Sequence, residues 1–530
     1  MIVVTWLNSM SNLRYAKSMV YSTWLLYPYR STYIQRFLTR YALLLNTFCS
    51  MLFTLCATSA IKNLYPSVIF PILLVVASSI ITLPANTQSL ANKTVDGYRG
   101  IWFTLGQPYP YGDKYSGGLG TYTAKHRPLA VYAPPVDKTF FVYGGTTSEK
   151  ENHLLCMIGY YDHREDVVPK PVIVHDKQGV DDPHDNPSLQ IDDKGYLWVF
   201  VSGRGRHRMG YKYKSKAAYD ITAFELVTEE EMTYPQPWTY DDGSMLHFFT
   251  KYTGRRELYV ETSADGIHWT KDRKLAGIRA PSEQEGGHYQ VSGRYGDKVV
   301  TFFNRHPAGH PDKRTDLYFL QTTDRGESWE TVTGRNIGIP LTIVDGPARI
   351  FDYHVLDQNV YLKDVNFDRE GNPICLYLTS AGHEPGPTNS PREFKVTYWD
   401  GTRWQTHVVC ETDHNYDMGS LFIEEDRWLT VLPSHTGPQH YGAGGELVMW
   451  ESVNKGKNWR IVKQLTVNSP RNHGYVRRPL KATDPFYCFW ADGDPEVMSI
   501  SRLYMSDSQG KVKMLPYLME KDFEKPVLLD

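Results

Sequence analysis

The chain has 530 residues, with 57 Lys and Arg against 59 Asp and Glu and a formal net charge of −2, so no global field exists to hold nucleic acid or an anionic membrane face. Charged residues at 22% and hydrophobic ones at 41% exclude an intrinsically disordered chain and a polytopic membrane protein. The 37 Tyr, 21 Phe and 13 Trp beside 41 Gly and 32 Pro suit short strands, many turns and flat rings able to stack on sugars.

Residues 1–96 differ from the rest. They carry Arg14, Lys17, Arg30, Arg36, Arg40, Lys62 and Lys93 but a single acid, Asp96. No charge lies between Arg40 and Lys62, and a second apolar run, Val68 to Leu83, precedes the small and polar stretch Pro84 to Ser89. This is the pattern of a signal-peptide core followed by a cleavage zone, with a retained membrane anchor as the alternative. The expectation is therefore an exported protein, periplasmic or extracellular, touching a membrane only through an N-terminal anchor. Asn92-Lys93-Thr94 matches the N-glycosylation sequon. Cys49 and Cys56 fall in this segment, and Cys156, Cys375, Cys410 and Cys488 are scattered without CxxC spacing, which argues against a disulfide framework or a zinc finger.

From Gly97 onward, short β-branched and aromatic runs alternate with Gly, Pro, Asp and Asn, without long helical periodicity. A basic cluster, Lys125-His126-Arg127, directly follows the glycine-rich Lys114 to Gly120 stretch. Flanking cations disfavour the charged form of a histidine, which makes His126 a candidate neutral base or, equally, a structural anchor of the first β unit. Asp181-Asp182-Pro183-His184-Asp185-Asn186 is followed by Arg204, Arg206 and Arg208, a set able to grip an acidic sugar through bidentate Arg–carboxylate pairing or simply to form a loop ion-pair network. Further on, Ser/Thr-x-Asp/Asn-x-Gly-x-x-Trp recurs at Thr262 to Trp269, Thr322 to Trp329 and Ser452 to Trp459, with looser copies at Asp193, Asp368 and Asp400. In this Asp-box hairpin the acid or amide binds turn amides, Gly takes a positive φ and Trp packs between hairpins. Trp269 to Trp329 is 60 residues and Trp404 to Trp459 is 55, so the region after Gly97 divides into about seven units of propeller size. The prediction is an all-β fold, a seven-bladed β-propeller over 97–530 preceded by the targeting segment 1–96. No cofactor is required, and a structural metal stays open through His354, Cys375 and His383.

Several motifs in order, Gly97-Tyr-Arg-Gly-Ile-Trp102, Lys114-Tyr-Ser-Gly-Gly, Lys138 to Gly145, His288-Tyr-Gln-Val-Ser, Arg314-Thr-Asp-Leu-Tyr318, Gly437-Pro-Gln439 and Val476 to Pro479 with Trp490 to Gly493, resemble the BNR-repeat propeller group of bacterial polysaccharide-degrading enzymes. That group holds ulvan lyases and α-L-rhamnosidases acting on rhamnose-capped glucuronate. In the rhamnosidases the catalytic histidine corresponds to His126, and the resemblance then places Lys125 or Arg127 near the uronate. In the lyases an Asp-x-His-x-x-Pro histidine, matched by His184, pairs with a second histidine whose place Arg204 takes here, together with a Tyr and an Arg for which Tyr234, Tyr252, Arg255 and Arg256 are candidates. Because the second lyase histidine is missing, the favoured expectation is a glycoside hydrolase releasing terminal α-L-rhamnose from glucuronate. The alternatives are a polysaccharide lyase using Arg204 or Arg255 on the carboxylate, and a non-catalytic glycan-binding propeller. All three take an acidic polysaccharide as partner.

Overall fold

The structure is a computed structural model that describes residues 90–151 and 153–529, and residues 89–530 form one unit. The apolar runs and signal features of the first 89 residues lie outside the described part. Seven antiparallel sheets follow one another along the chain, at 130–176, 187–230, 233–276, 290–351, 359–412, 420–464 and 472–528, each with its strands in sequence order. The predicted seven-bladed β-propeller is thus the observed fold, and we number the blades 1 to 7 in that order. The innermost strands, Ala130–Ala133, Pro187–Ile191, Thr233–Thr239, Gln290–Tyr295, Asn359–Phe367, Ser420–Ile423 and Asn472–Arg477, surround the central channel.

Hydrophobic alternation explains the blades, and aromatic rings explain how they stack. A pair of rings closes every interface: Phe140–Tyr219 between blades 1 and 2, Phe200–Trp269, Phe248–Trp329, Phe302–Trp404, Tyr398–Trp428 and Phe422–Tyr487 in succession, and Phe141–Phe489 between blades 7 and 1, with centroids 4.3 to 6.4 Å apart. Tilted and offset ring pairs of this kind add to the burial of their large apolar area. Much of the aromatic content that suggested sugar stacking therefore serves blade packing.

The three Asp boxes join the third and fourth strands of blades 3, 4 and 6. In the first, Asp265 Oδ1 accepts the Ile267 and His268 amides, Ser263 Oγ accepts the Gly266 amide, and the Trp269 indole donates to the Gly266 carbonyl. Gly266 sits at φ +74, and a Cβ there would meet the Trp198 ring at 2.6 Å, so conformation and space both demand glycine. The looser copies differ: Asp193 and Asp368 lie in turns between first and second strands, with Asp192 rather than Asp193 capping the former through the Lys194 and Tyr196 amides.

The ring closes where Leu480 donates its amide to the Ala130 carbonyl and accepts the Tyr132 amide on the first strand of blade 1, and Phe523–Glu524 pairs with Val168–Pro169. Residues 90–96, placed with the targeting segment by sequence, belong to this closure: Thr94 bridges Val172, the Asp96 carbonyl accepts the Met519 amide, and the Asn92 side chain both accepts from the Phe224 amide and donates to its carbonyl. The sequon asparagine is thus a clasp, its amide committed to backbone.

Candidate active site

Strand alternation sends the starts of the first strands and the loops between second and third strands to the same face, opposite the Asp boxes. Chemistry-bearing residues gather there. Tyr122 and Lys125 precede the first strand of blade 1 and His184 that of blade 2; Tyr234 lies in the first strand of blade 3, and Tyr289 and Tyr416 precede those of blades 4 and 6. Arg204, Arg256, His306 and Arg314 come from the intervening second-to-third-strand connections of blades 2, 3 and 4.

The ring contacts are continuous. Tyr234 lies 5.6 Å from Tyr289 and 6.0 Å from His184, Tyr115 lies 4.9 Å from Tyr416, and His306 meets Tyr289 edge-on at 4.5 Å. Arg314 is wholly buried beneath Tyr289, Tyr361 and Tyr416, its guanidinium 4.9, 4.3 and 5.5 Å from their centroids, and donates to the Tyr416 hydroxyl at 2.9 Å. Arg256 stacks on Tyr252 at 5.6 Å, and Lys125 places its amine 4.4 Å from the Tyr289 centroid. Arg204 reaches Asp182 at 3.4 Å. Among the described residues no carboxylate forms an ion pair with Arg256 or Arg314.

This charge sets the two phenols apart. Burial raises the Tyr289 pKa, but Arg256, Arg314, Arg204 and Lys114 together outweigh it and hold the phenol below its usual value. Tyr234 is pushed well above its usual value by burial and by the neighbouring Tyr289 and Tyr252. One tyrosine is therefore disposed to lose its proton and the other to keep it, an arrangement suited to proton abstraction and proton donation on two sides of one bond.

Several candidate residues stand elsewhere than expected. His126 is fully buried: its Nδ1 accepts the Thr123 amide at 3.0 Å and its Nε2 donates to the His184 carbonyl at 3.0 Å. Burial, then Arg477, then His184 push its pKa well down. Neutral as expected, it nevertheless has both ring nitrogens committed to backbone, and so it anchors the entry to blade 1 with no proton to exchange with a sugar. Arg127 turns inward, pairing with Asp364 at 2.5 Å and donating to the Val365 carbonyl, so it does not meet a uronate. His184 donates from Nδ1 to Asp182 at 2.5 Å and accepts from the Tyr122 hydroxyl on Nε2 at 2.9 Å; burial and Arg204 bring its pKa down to about 3. It bridges Asp182, which pairs with Arg204, and the Tyr122 hydroxyl instead of facing a substrate with a free nitrogen. Arg255 is 56% exposed and paired with Glu285, whereas its neighbour Arg256 enters the site. Cys375 is buried inside blade 5 while His354 is exposed, and no group of three or more His, Cys, Asp or Glu able to hold a metal occurs among the described residues.

The comparisons with known proteins agree on one direction. Residues 150–411 match the model of a BNR repeat-containing family member. The chain is 24% identical over 256 residues to an ulvan lyase of Alteromonas sp. (strain LOR), covering 42% of this chain and 52% of that protein. It is 23% identical over 309 residues to an ulvan lyase of Pseudoalteromonas sp. (strain PLSV), covering 49% and 62%. The chain thus spans about half to three-fifths of the length of these relatives. A solved structure of a PL25 ulvan lyase, and the same enzyme bound to -[GlcA(1-4)Rha3S]-, each superimpose with a TM-score of 0.62 at 17% identity, over 79% of this chain and 96% of theirs. These likenesses overturn the expectation of a rhamnose-releasing hydrolase, which finds no counterpart among them.

Proposed function

We propose that this protein is a polysaccharide lyase that cleaves at a uronate residue of an acidic, ulvan-like polysaccharide by β-elimination. The observation carrying the reading is the pair of tyrosines 5.6 Å apart with oppositely displaced pKa values, set among Arg204, Arg256 and Arg314. A uronate carboxylate paired with Arg204 and Arg256 loses much of its negative charge, which acidifies the C5 proton, while the wholly buried Arg314 acts on the Tyr289 phenol. The Tyr289 phenolate takes that proton. The C5–H electron pair becomes the C4=C5 double bond, the C4–O4 bond breaks, and the Tyr234 hydroxyl supplies the proton that the departing O4 needs. The permanently charged Arg204 stands where the resemblance put a histidine in the lyases, so neutralisation of the carboxylate does not depend on an imidazolium.

The likeness to ulvan lyases, one of them seen with an acidic oligosaccharide, supports the substrate class. Because arginines supply the charge that the elimination requires, the reaction calls for no cofactor. Export through the segment ahead of residue 90 is part of the proposal, since the polymer is too large to enter a cell.

The test is incubation of the purified protein with ulvan, followed by ultraviolet absorbance of the unsaturated uronate and by assay of free rhamnose. Absorbance without rhamnose is expected, and Tyr289→Phe should lower its rate by about 100-fold or more. Absence of the unsaturated product from the wild type, or full activity in Tyr289→Phe, would overturn the assignment.

A further inference from the structure

Outside the arginine-lined centre, the same face carries a second group of rings contributed by three separate connections. The small hairpin 104–114 presents Tyr109 and Tyr111, the blade 5 loop presents His383, and the blade 6 loop presents His440 and Tyr441. Tyr109 and His383 meet edge-on at 5.6 Å, Tyr111 and Tyr441 at 5.4 Å, and His440 stacks on Tyr441 at 3.7 Å. Tyr111 is 47% exposed and His440 is open as well, while Tyr109, His383 and Tyr441 are half-buried.

The rings are held in place by their backbones. Asp113 accepts the Gln107 and Tyr115 amides and the Thr104 hydroxyl, and Lys114 pairs with Asp312. Gly386, at φ +100, lets its backbone lie against Tyr111, since a Cβ there would meet the ring at 2.4 Å. Asn472 fastens the blade 6 loop by accepting the Gln439 amide and donating to the Gln439 carbonyl. A fixed, exposed aromatic group costs little ordering entropy when a ligand stacks on it.

The group is also continuous with the centre. Asp113 and Lys114 lead directly into Tyr115, whose ring lies 5.7 Å from His184 and 4.9 Å from Tyr416. Its charge differs, however: the charged side chains bearing on Tyr109 are the Lys114–Asp312 pair and the exposed Glu384. With Lys114 paired to Asp312, His440 facing Asp413, and Arg392 buried and donating to Asn415 and the Glu384 carbonyl, this rim favours the uncharged C–H face of a sugar over a carboxylate.

We propose that Tyr109, Tyr111, His383 and Tyr441 form a sugar-stacking subsite that holds a ring of the polysaccharide beyond the reacting uronate. The proposal rests on the reading of an acidic polysaccharide substrate given above. It predicts that long chains gain from the rim and the shortest cleavable fragments do not.

Tyr111→Ala and Tyr109→Ala are to be compared with Tyr111→Phe and with Tyr295→Ala, an exposed tyrosine on the opposite face, each variant first checked for an unchanged melting temperature. On polymeric ulvan the two rim alanine variants should lose about three- to tenfold in kcat/KM through KM, while Tyr111→Phe and Tyr295→Ala keep it. On the shortest ulvan oligosaccharide that is cut, all four should match the wild type. Equal losses on polymer and fragment, or no loss on polymer, would overturn the subsite. Electrophoresis through gels containing ulvan reads binding without turnover. A wild type that is retarded but inactive would therefore overturn the lyase reading and leave the rim to be judged by loss of retardation in the alanine variants, and a wild type neither retarded nor active would overturn both.

Discussion

Tyr289 and Arg314 form the residue pair on which the proposed chemistry turns. The proposed elimination needs the phenolate, so its rate should rise with pH along a limb set by the lowered Tyr289 pKa, below the ordinary phenol value of about 10. Removing the Arg314 charge with Arg314→Gln takes away one of the cations that stabilise the phenolate. The pH–kcat/KM limb should therefore move upward, whereas Arg314→Lys should move it less. An unmoved limb would detach the titration from Tyr289. His184 gives a control, because with its pKa down at about 3 no histidine limb from it should appear near neutrality. Asp364 makes a prediction about stability. It is buried between Arg127 at 2.5 Å and Arg478 at 3.6 Å and accepts the Leu421 amide, and Arg127 and Arg478 hold its pKa down in spite of burial. A carboxylate with a depressed folded-state pKa contributes stability above its unfolded pKa of about 3.9 and loses that contribution as pH falls toward the folded value. At neutral pH, Asp364→Ala should cost about 3–5 kcal/mol in urea unfolding, because two guanidiniums are left buried without their partner.

Among the elements, the Asp-box hairpin was legible because everything it needs lies within eight residues, as from Thr262 to Trp269. Gly266→Ala forces a side chain into positive φ and against Trp198, and should lower stability by about 1–3 kcal/mol in the same unfolding experiment without changing the rate of elimination. The active site was much less legible. Its members sit at equivalent points of successive blades, near the starts of first strands and in the connections after second strands, so no local spacing joins Tyr122, His184, Tyr234, Tyr289 and Arg314. The one usable signal was positional: a Tyr or His just ahead of a β run, as in Gly287-His288-Tyr289, once the blade period is known. Lys125-His126-Arg127 misled for the opposite reason. Its three side chains are neighbours in sequence but point to Tyr289, to backbone carbonyl and amide groups, and to Asp364. Adjacency along a chain entering a strand is no guide to a shared environment.

At the scale of the whole molecule, the seven blades are joined to one another by ring pairs and the circle is completed at Leu480, at 523–524 and through residues 90–96. A chain beginning at Gly97 lacks the Asn92 clasp and the Thr94 bridge, whereas one beginning at Leu90 retains both. The shorter chain should melt lower, by about 1 °C per kcal/mol lost at this size, and equal melting temperatures would show that these contacts add nothing. The closure at Leu480 also orders events in time. Its partners, Ala130 and Tyr132, are separated from it by nearly the entire propeller, and such remote pairing is slow to form. Blades 3 and 4 hold Tyr234, Tyr289 and Arg314, but Tyr122 is positioned against Tyr475 of the last blade, across the junction where it meets the first, and Tyr115 against Tyr416 ahead of blade 6. During refolding, strand content followed by far-ultraviolet circular dichroism should return first and catalytic competence later, after a lag set by the suturing of the ring. The proposed elimination would then serve as a clock for the final step of assembly.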